Sequence, residues 1–251
     1  MKKPHLMICL LMIAAACAAT VYYWPLLPEV LPVHWNAHGE ADRFGQRWSY
    51  FALGPGVMLL ALAAFWIAPR LSPRRYEVDS FASTFSYIGT VIVAMMGYGY
   101  ALMLAQAVHG GVAIERAVPA GIAVLLVLAG NPMGKVRRNF FLGIRTPWTI
   151  ASEAVWYRTH RMAAKLMVAS GLLALMAVCL NASPWVLMPL ILAWRRWLPA
   201  TRCCTNVFLT DWRKVCALNS CCPCCWFPCP PPPRSGRCRW KLTAAPSTAP
   251  S

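Results

Sequence analysis

The sequence contains few charged residues for its length. Of its 251 residues, 13% are charged and only 8 are Asp or Glu, whereas a soluble domain usually carries about 25% charged residues. This leaves too little polar surface to cover a water-exposed globule, so an ordinary soluble domain is excluded. Carboxylates are also absent from the long apolar runs, which argues against a proton-coupled transporter.

Signatures of common catalytic sites are absent as well. No serine lies in a nucleophile elbow, and the chain contains no glycine-rich phosphate loop. The sequence therefore predicts that the protein is not an enzyme and that it uses no cofactor.

The chain is instead rich in long apolar runs, and 59% of its residues are hydrophobic. A helix of about 20 residues crosses a hydrocarbon core of about 30 Å. Runs at 5–24, 50–68, 87–108, 117–130 and 162–181 approach this length, although the fourth is short. A sixth run begins at Pro184 but meets Arg195 after 11 residues. The predicted fold class is all-α: a polytopic integral membrane helical bundle of about six transmembrane helices, the last truncated or degenerate.

Basic residues give the predicted bundle an orientation. The net charge of +16 lies between the apolar runs, which favours contact with membrane lipid over direct binding of nucleic acid. If the N-terminus is cytoplasmic, three basic residues fall outside, Arg43, Arg47 and Arg116, and eleven fall inside. The N-terminus is therefore predicted to be cytoplasmic. The eleven residues inside are Lys2, Lys3, Arg70, Arg74, Arg75, Lys135, Arg137, Arg138, Arg145, Arg158 and Arg161.

The first apolar run could also be a cleaved signal peptide, since residues 14–17 loosely resemble a lipoprotein cleavage site. The apolar run continues past Cys17, however, so an uncleaved anchor is expected.

The topology divides the chain into three regions. Residues 1–68 are predicted to form a two-helix unit with an outer loop at 25–49. Residues 69–196 form a second membrane region with a cytoplasmic loop at 131–161, and residues 197–251 form a tail rich in cysteine and proline. Ser152 or Thr149 is expected to cap a helix that begins within the cytoplasmic loop.

Both loops carry motifs that resemble the SdpI family of bacterial membrane immunity proteins. The outer motif extends from Pro28 to Asp42 and includes Pro-Val-His-Trp-Asn. The inner series includes Gly-Asn-Pro-Met-Gly-Lys, then Gly-Ile-Arg-Thr-Pro-Trp-Thr, then Val-Trp-Tyr-Arg-Thr-His-Arg ending at Arg161. The inner series is long and unusual, and the resemblance covers roughly residues 5 to 195.

The resemblance implies an immunity protein of the bacterial inner (cytoplasmic) membrane that gives protection against a secreted, membrane-active peptide toxin. It also implies a second role as a signalling receptor that holds a cytoplasmic transcriptional repressor at the membrane. A signalling receptor without an immunity role and a small-solute transporter stay open as alternatives.

Candidate site residues lie in the two loops. A metal site at His34, His38, Glu40 and Asp42 matches no closed zinc spacing, so no metal is expected and a hydrogen-bonded loop is favoured. For the inner residues, topology alone, anchoring of the tryptophans at the interface, and contact with anionic lipid are alternatives to docking. Candidates for toxin contact or loop structuring are His34, Trp35, Asn36, Gly39 and Asp42. Candidates for cytoplasmic docking are Asn131, Gly134, Lys135, Asn139, Gly143, Arg145, Thr146, Pro147, Trp148, Trp156, Thr159, His160 and Arg161.

The tail does not follow the family pattern. Nine of the 12 cysteines follow residue 200, and the sixth apolar run stops in mid-helix. Zinc binding by paired cysteines, acylation or redox chemistry, and translation in a shifted frame are the three interpretations, of which the shifted frame is favoured. A tail of this composition is expected to be disordered.

Overall fold

A computed structural model describes residues 1–36, 38–71 and 78–193, and within these residues the protein is a bundle of long helices. The second span, Ser49–Leu71, starts as the short helix α2, passes through a π-helical turn at Ala52–Gly56 and continues as α3. The helices are α1 (Lys3–Tyr23), α2 (Ser49–Phe51), α3 (Val57–Leu71), α4 (Ala82–His109), α5 (Ile114–Met133), α6 (Pro147–Ala151), α7 (Glu153–Cys179) and α8 (Pro184–Leu192).

Five helical segments of the described chain are long and apolar enough to cross a membrane. They match the five longer runs of the sequence, which confirms the prediction of a polytopic helical membrane protein. The short fourth run is extended at both ends, because α5 covers 20 residues from Ile114 to Met133. In the described part of the sixth run, α8 has 9 residues, fewer than a helix needs to span a bilayer alone.

The outer loop contains the one sheet seen in the described residues. Strand β1 (Val30–Trp35) pairs antiparallel with β2 (Ala41–Gln46). The sequence analysis favoured a hydrogen-bonded loop here but did not predict a hairpin. The hairpin rests on the bundle, since the buried Tyr50 donates a hydrogen bond from its hydroxyl to the carbonyl oxygen of Pro32 at 3.0 Å.

Small residues allow the helices to approach closely. A Cβ at Gly171 of α7 would lie 2.7 Å from the carbonyl oxygen of Ala123 in α5, and a Cβ at Gly130 of α5 would lie 2.8 Å from Cβ of Met167. In lipid there is no hydrophobic driving force for helix association, so helix pairs in membranes associate through close van der Waals contacts of this kind.

Polar side chains join α1 to α4. His5 Nδ1 and Thr90 Oγ1 are 3.1 Å apart near the N-terminal end of α1. Near its other end, the hydroxyl groups of Thr20 and Tyr100 are 2.5 Å apart. Hydrogen bonds between helices stabilise membrane bundles modestly, at about 0.6 kcal/mol each on average.

Several sequence predictions fall outside the described residues. These are the tail at 197–251 with its three interpretations, the basic residues Arg74 and Arg75, and the side chain of Trp148. The predicted boundary between residues 68 and 69 stays a prediction. The expected cap is confirmed, because Ser152 precedes α7 and its hydroxyl accepts a hydrogen bond from the N–H of Val155.

Candidate functional site

Asn36 and Gly39 shape the turn of the outer hairpin. The Asn36 side-chain oxygen accepts hydrogen bonds from the main-chain N–H groups of His38, at 2.9 Å, and Glu40, at 3.0 Å. Gly39 has a φ of +81°, and a Cβ there would lie 2.9 Å from Oε2 of Glu115. The turn therefore needs glycine both for its backbone conformation and for its close approach to the start of α5.

His34 and Asp42 face each other across the two strands. His34 Nδ1 donates a hydrogen bond to Asp42 Oδ1 at 2.5 Å, and both side chains are partly exposed to solvent. This hydrogen bond lowers the pKa of Asp42 below its ordinary value of 3.8. The carboxylate is thus ionised at neutral pH and holds the imidazole in a fixed orientation.

The hairpin also presents apolar side chains that the sequence analysis did not select. Val30 is 62% exposed, Phe44 is 61% exposed and Trp48, just after β2, is 62% exposed. Phe44 lies directly opposite Pro32 in the register, whereas Leu31 of the alternate face is buried. The partial signal for them is a turn of the Asn36–Gly39 type that follows an apolar segment with β-branched and aromatic residues, Val30–Trp35.

Trp156 and His160 form the centre of the inner loop. Both are fully buried, one turn apart at the start of α7, and their rings stack with centroids 4.0 Å apart. Trp156 donates from Nε1 to the carbonyl oxygen of Val136 at 2.8 Å. His160 Nε2 accepts from the N–H of Ile144 at 3.0 Å, and Nδ1 lies 2.8 Å from the carbonyl oxygen of Trp156. The two side chains thereby fix both ends of the preceding loop to α7.

Asn139 holds the middle of the same loop. It is buried, and its oxygen accepts hydrogen bonds from the N–H groups of Phe141 and Leu142, both at 2.7 Å. Its side-chain nitrogen donates to the carbonyl oxygens of Arg137, at 2.7 Å, and Leu142, at 3.2 Å. Asn139 therefore supplies partners to a stretch of backbone that has no regular structure.

Thr146 and Thr149 form a reciprocal cap on α6. The N–H of Thr146 donates to Oγ1 of Thr149 at 2.8 Å, and the N–H of Thr149 donates to Oγ1 of Thr146 at 3.3 Å. Pro147 occupies the first helical position, where its missing N–H costs nothing. The two threonines and the proline of this motif are thus explained by the local start of a helix.

Exposure separates the inner candidates into a frame and a surface. The buried residues position the loop, and the exposed ones present side chains to solvent. Two arginines also hold the loop: Arg138 donates to the carbonyl oxygen of Ile150, and Arg145, although exposed, donates to that of Phe140. Buried are Asn139, Trp156, Thr159 and His160; partly buried are Gly134, Gly143 and Thr146; exposed are Asn131, Lys135, Arg145, Pro147 and Arg161.

The described residues contain no group of three or more His, Cys, Asp or Glu side chains placed to hold a metal ion. His34 and Asp42 are paired with each other, and Glu40 accepts from Nδ2 of Asn36 at 3.0 Å. The favoured interpretation of this loop, a hydrogen-bonded structure, therefore describes its geometry.

The helices and the two folded loops define a multi-pass helical membrane protein with an ordered element beyond each end of the bundle. Comparison with known proteins confirms the resemblance to the SdpI family. Residues 135–195 match the family model described as the SdpI/YfhL protein family, and residues 11–59 match a domain of unknown function, DUF1648. The chain is 25% identical to the immunity protein SdpI of Bacillus subtilis (strain 168) over 176 residues, which cover 68% of this chain and 79% of that protein. No solved structure matches the chain.

Proposed function

We propose that this chain is an SdpI-like immunity protein of a bacterial cytoplasmic membrane, and that it protects the cell against a secreted, membrane-active peptide toxin. One observation carries the proposal: the similarity to the immunity protein SdpI. The two segments of this chain that match family models contain the hairpin and most of the inner loop. The likeness is to an immunity protein, and the proposed activity involves binding without a chemical step.

Toxin capture is assigned to the outer hairpin. Its exposed face combines the apolar side chains of Val30, Phe44 and Trp48 with the polar pair of His34 and Asp42. A membrane-active peptide has apolar and polar faces of its own, and this mixed surface complements both. The hairpin also stands at the end of the bundle that such a peptide reaches first from outside.

The orientation follows from the distribution of charge. With the N-terminus in the cytoplasm, the hairpin is outside and residues 131–161 are inside, where basic residues are retained because they resist translocation. The exposed Lys135, Arg137 and Arg158 then lie on the cytoplasmic side.

Repressor docking is a second function that a specific observation favours. The buried Asn139, Trp156 and His160 make the inner loop an ordered platform, and Lys135, Arg145 and Arg161 are exposed on it. An ordered basic platform suits a cytoplasmic protein with an acidic surface. Pull-down of such a regulator from cells with and without toxin tests this role separately from immunity. Absence of any regulator from both samples would contradict it.

A transporter role receives less support. If cysteines and tyrosines are set aside, His160 is the only titratable side chain that is buried within a span of the described residues. Both of its ring nitrogens form hydrogen bonds with main-chain groups. Coupled transport usually relies on carboxylates inside the bundle. Uptake assays in vesicles would reveal transport directly.

The direct test expresses the full chain in a toxin-sensitive bacterium and scores survival against a panel of secreted membrane-active peptides. The double variant H34A/D42N removes the paired side chains, and R43A is the control, because Arg43 is an exposed neighbour in β2. Wild type and R43A are expected to restore survival against at least one peptide, and H34A/D42N to lose it at equal abundance in the membrane. Survival no better than an empty vector for every peptide, with the protein present in the membrane, would overturn the proposal.

A further inference from the structure

One face of α7 is exposed along nearly its whole length. At 3.6 residues per turn, its exposed members fall within roughly 80° of one another. They are Arg158, Arg161, Lys165, Ala169, Leu172, Met176 and Cys179.

The chemistry of this face changes once along the helix. Its basic members Arg158, Arg161 and Lys165 occupy about two turns in the N-terminal half of the helix, and the members that follow them are apolar. Helix α7 has 27 residues, which gives a length of about 40 Å at 1.5 Å per residue, so it is longer than a hydrocarbon core of about 30 Å. The basic turns thus fall at the level of the headgroups and the apolar part at the level of the acyl chains. Lys165 sits lowest of the three and can extend its stem toward the phosphates.

The basic side chains on this face lack protein partners. Among the described residues, the ion pair of His34 and Asp42 is the only one, and the side chains of Arg158, Arg161 and Lys165 form no hydrogen bond there. The neighbouring Arg138 and Arg145 differ, because they donate to main-chain carbonyl oxygens. Three charges at the edge of a hydrocarbon phase favour an anion from outside the chain.

We propose that this face binds an anionic phospholipid of the inner leaflet. The headgroup phosphate lies between Arg161 and Lys165, which are one helical turn apart, and Arg158 adds a third charge above it. One acyl chain follows Ala169, Leu172 and Met176. The step from basic to apolar along a single face matches the order of head and tail in a phospholipid, and a soluble acidic protein would have no use for the apolar part.

The test measures lipid binding by the purified full chain in a neutral detergent. Phosphatidylglycerol or phosphatidylcholine is titrated, and bound lipids are counted by native mass spectrometry. The test variant is R161Q/K165Q. The control is R70Q/R137Q, which removes the same charge from exposed positions outside this face. R161K/K165R keeps the charge and guards against loss of binding through misfolding.

Wild type, R70Q/R137Q and R161K/K165R are expected to prefer phosphatidylglycerol. R161Q/K165Q is expected to lose affinity for it by about fivefold or more for each charge removed, with unchanged affinity for phosphatidylcholine. Equal binding of the two lipids by wild type, or equal losses in R161Q/K165Q and R70Q/R137Q, would overturn the inference. A change in oligomeric mass without a change in bound lipid would assign the face to a second copy of the chain and would also overturn it. The inference rests on the proposed function only for the orientation that places this end of α7 in the inner leaflet, so neither result bears on immunity itself.

Discussion

The main-chain N–H of Ile144 donates a hydrogen bond to Nε2 of His160 across 3.0 Å. Because Nε2 is the acceptor, the proton of the neutral imidazole is on Nδ1, which donates to the carbonyl oxygen of Trp156 one turn earlier. A single side chain thus links the loop after α5 to the start of α7. This link explains why a histidine beside a basic loop is buried, and it leads to the first prediction.

Replacement of Gly143 by alanine is expected to destabilise the inner loop strongly. Gly143 has a φ of +102°, and a Cβ there would lie 2.2 Å from Nε2 of His160, so either the ring or the loop must move. The matched control is G110A, since Gly110 has a φ of +67° with nothing within 4 Å of an added Cβ. G110A should lose about 1–3 kcal/mol through its backbone alone, and G143A should lose clearly more. Thermal unfolding in detergent measures both, and equal losses would contradict the account.

Trp156→Phe is expected to cost about 1–3 kcal/mol, because it leaves the buried carbonyl oxygen of Val136 without its donor. The ring itself is largely retained, so the loss of the hydrogen bond dominates. Trp185→Phe is the control, as Trp185 is exposed at 73%. Thermal unfolding of the two variants should separate them, and a W156F variant as stable as W185F would show that the hydrogen bond contributes nothing.

Asn139 allows a test of which half of its amide matters. Asn139→Ala removes four hydrogen bonds, whereas Asn139→Asp keeps the two accepted from the main chain but sets a buried carboxylate oxygen against the carbonyl oxygens of Arg137 and Leu142. We expect both N139A and N139D to reduce stability at neutral pH, each by about 1 kcal/mol or more. Unfolding midpoints in detergent measure both losses, and an N139D variant as stable as wild type would contradict the assigned geometry.

The pKa of Asp42 tests the outer hairpin. The hydrogen bond from His34 lowers this pKa below 3.8, so His34→Ala should raise it back towards that value. Because the pKa of Asp42 is lower in the folded protein than in the unfolded chain, the pair stabilises the fold fully at a pH above the unfolded-state pKa. This stabilisation is lost as the pH falls through the folded-state pKa. NMR titration of the Asp42 carboxyl carbon in wild type and H34A measures the change. An unchanged pKa in H34A would mean that the pair does not form in solution.

The membrane fold was predictable because its signal is simple. A run of about 20 apolar residues must form a helix in lipid, where the backbone has no other source of hydrogen bonds. The ends of the helices were less predictable. Helix α5 begins at Ile114, with Glu115 and Arg116 in its first turn, because a charged first turn can reach the interface while the helix continues.

The two loops were harder to interpret. The motifs lie in the segments that form the hairpin and the inner loop, but residue type did not distinguish side chains that would contact a partner from those that support the loop. From the sequence, Trp156 could be an interfacial anchor or a docking residue. In the structure it is buried and donates a hydrogen bond to Val136, and this contact depends on how α5 and α7 pack together. The hairpin was missed because Pro32 weakens the strand pattern of β1, and because β2 (Ala41–Gln46) is mostly polar and contains Gly45.

The side of the membrane on which each loop lies is the claim on which the functional proposals depend. Limited trypsin digestion of the full chain, in spheroplasts and in inverted membrane vesicles, reports it by mass spectrometry of the fragments. The account predicts cleavage after Arg43 of the hairpin in spheroplasts, and cleavage after Arg137 or Arg158 of the inner loop only in inverted vesicles. Cleavage after Arg137 or Arg158 in intact spheroplasts would contradict it.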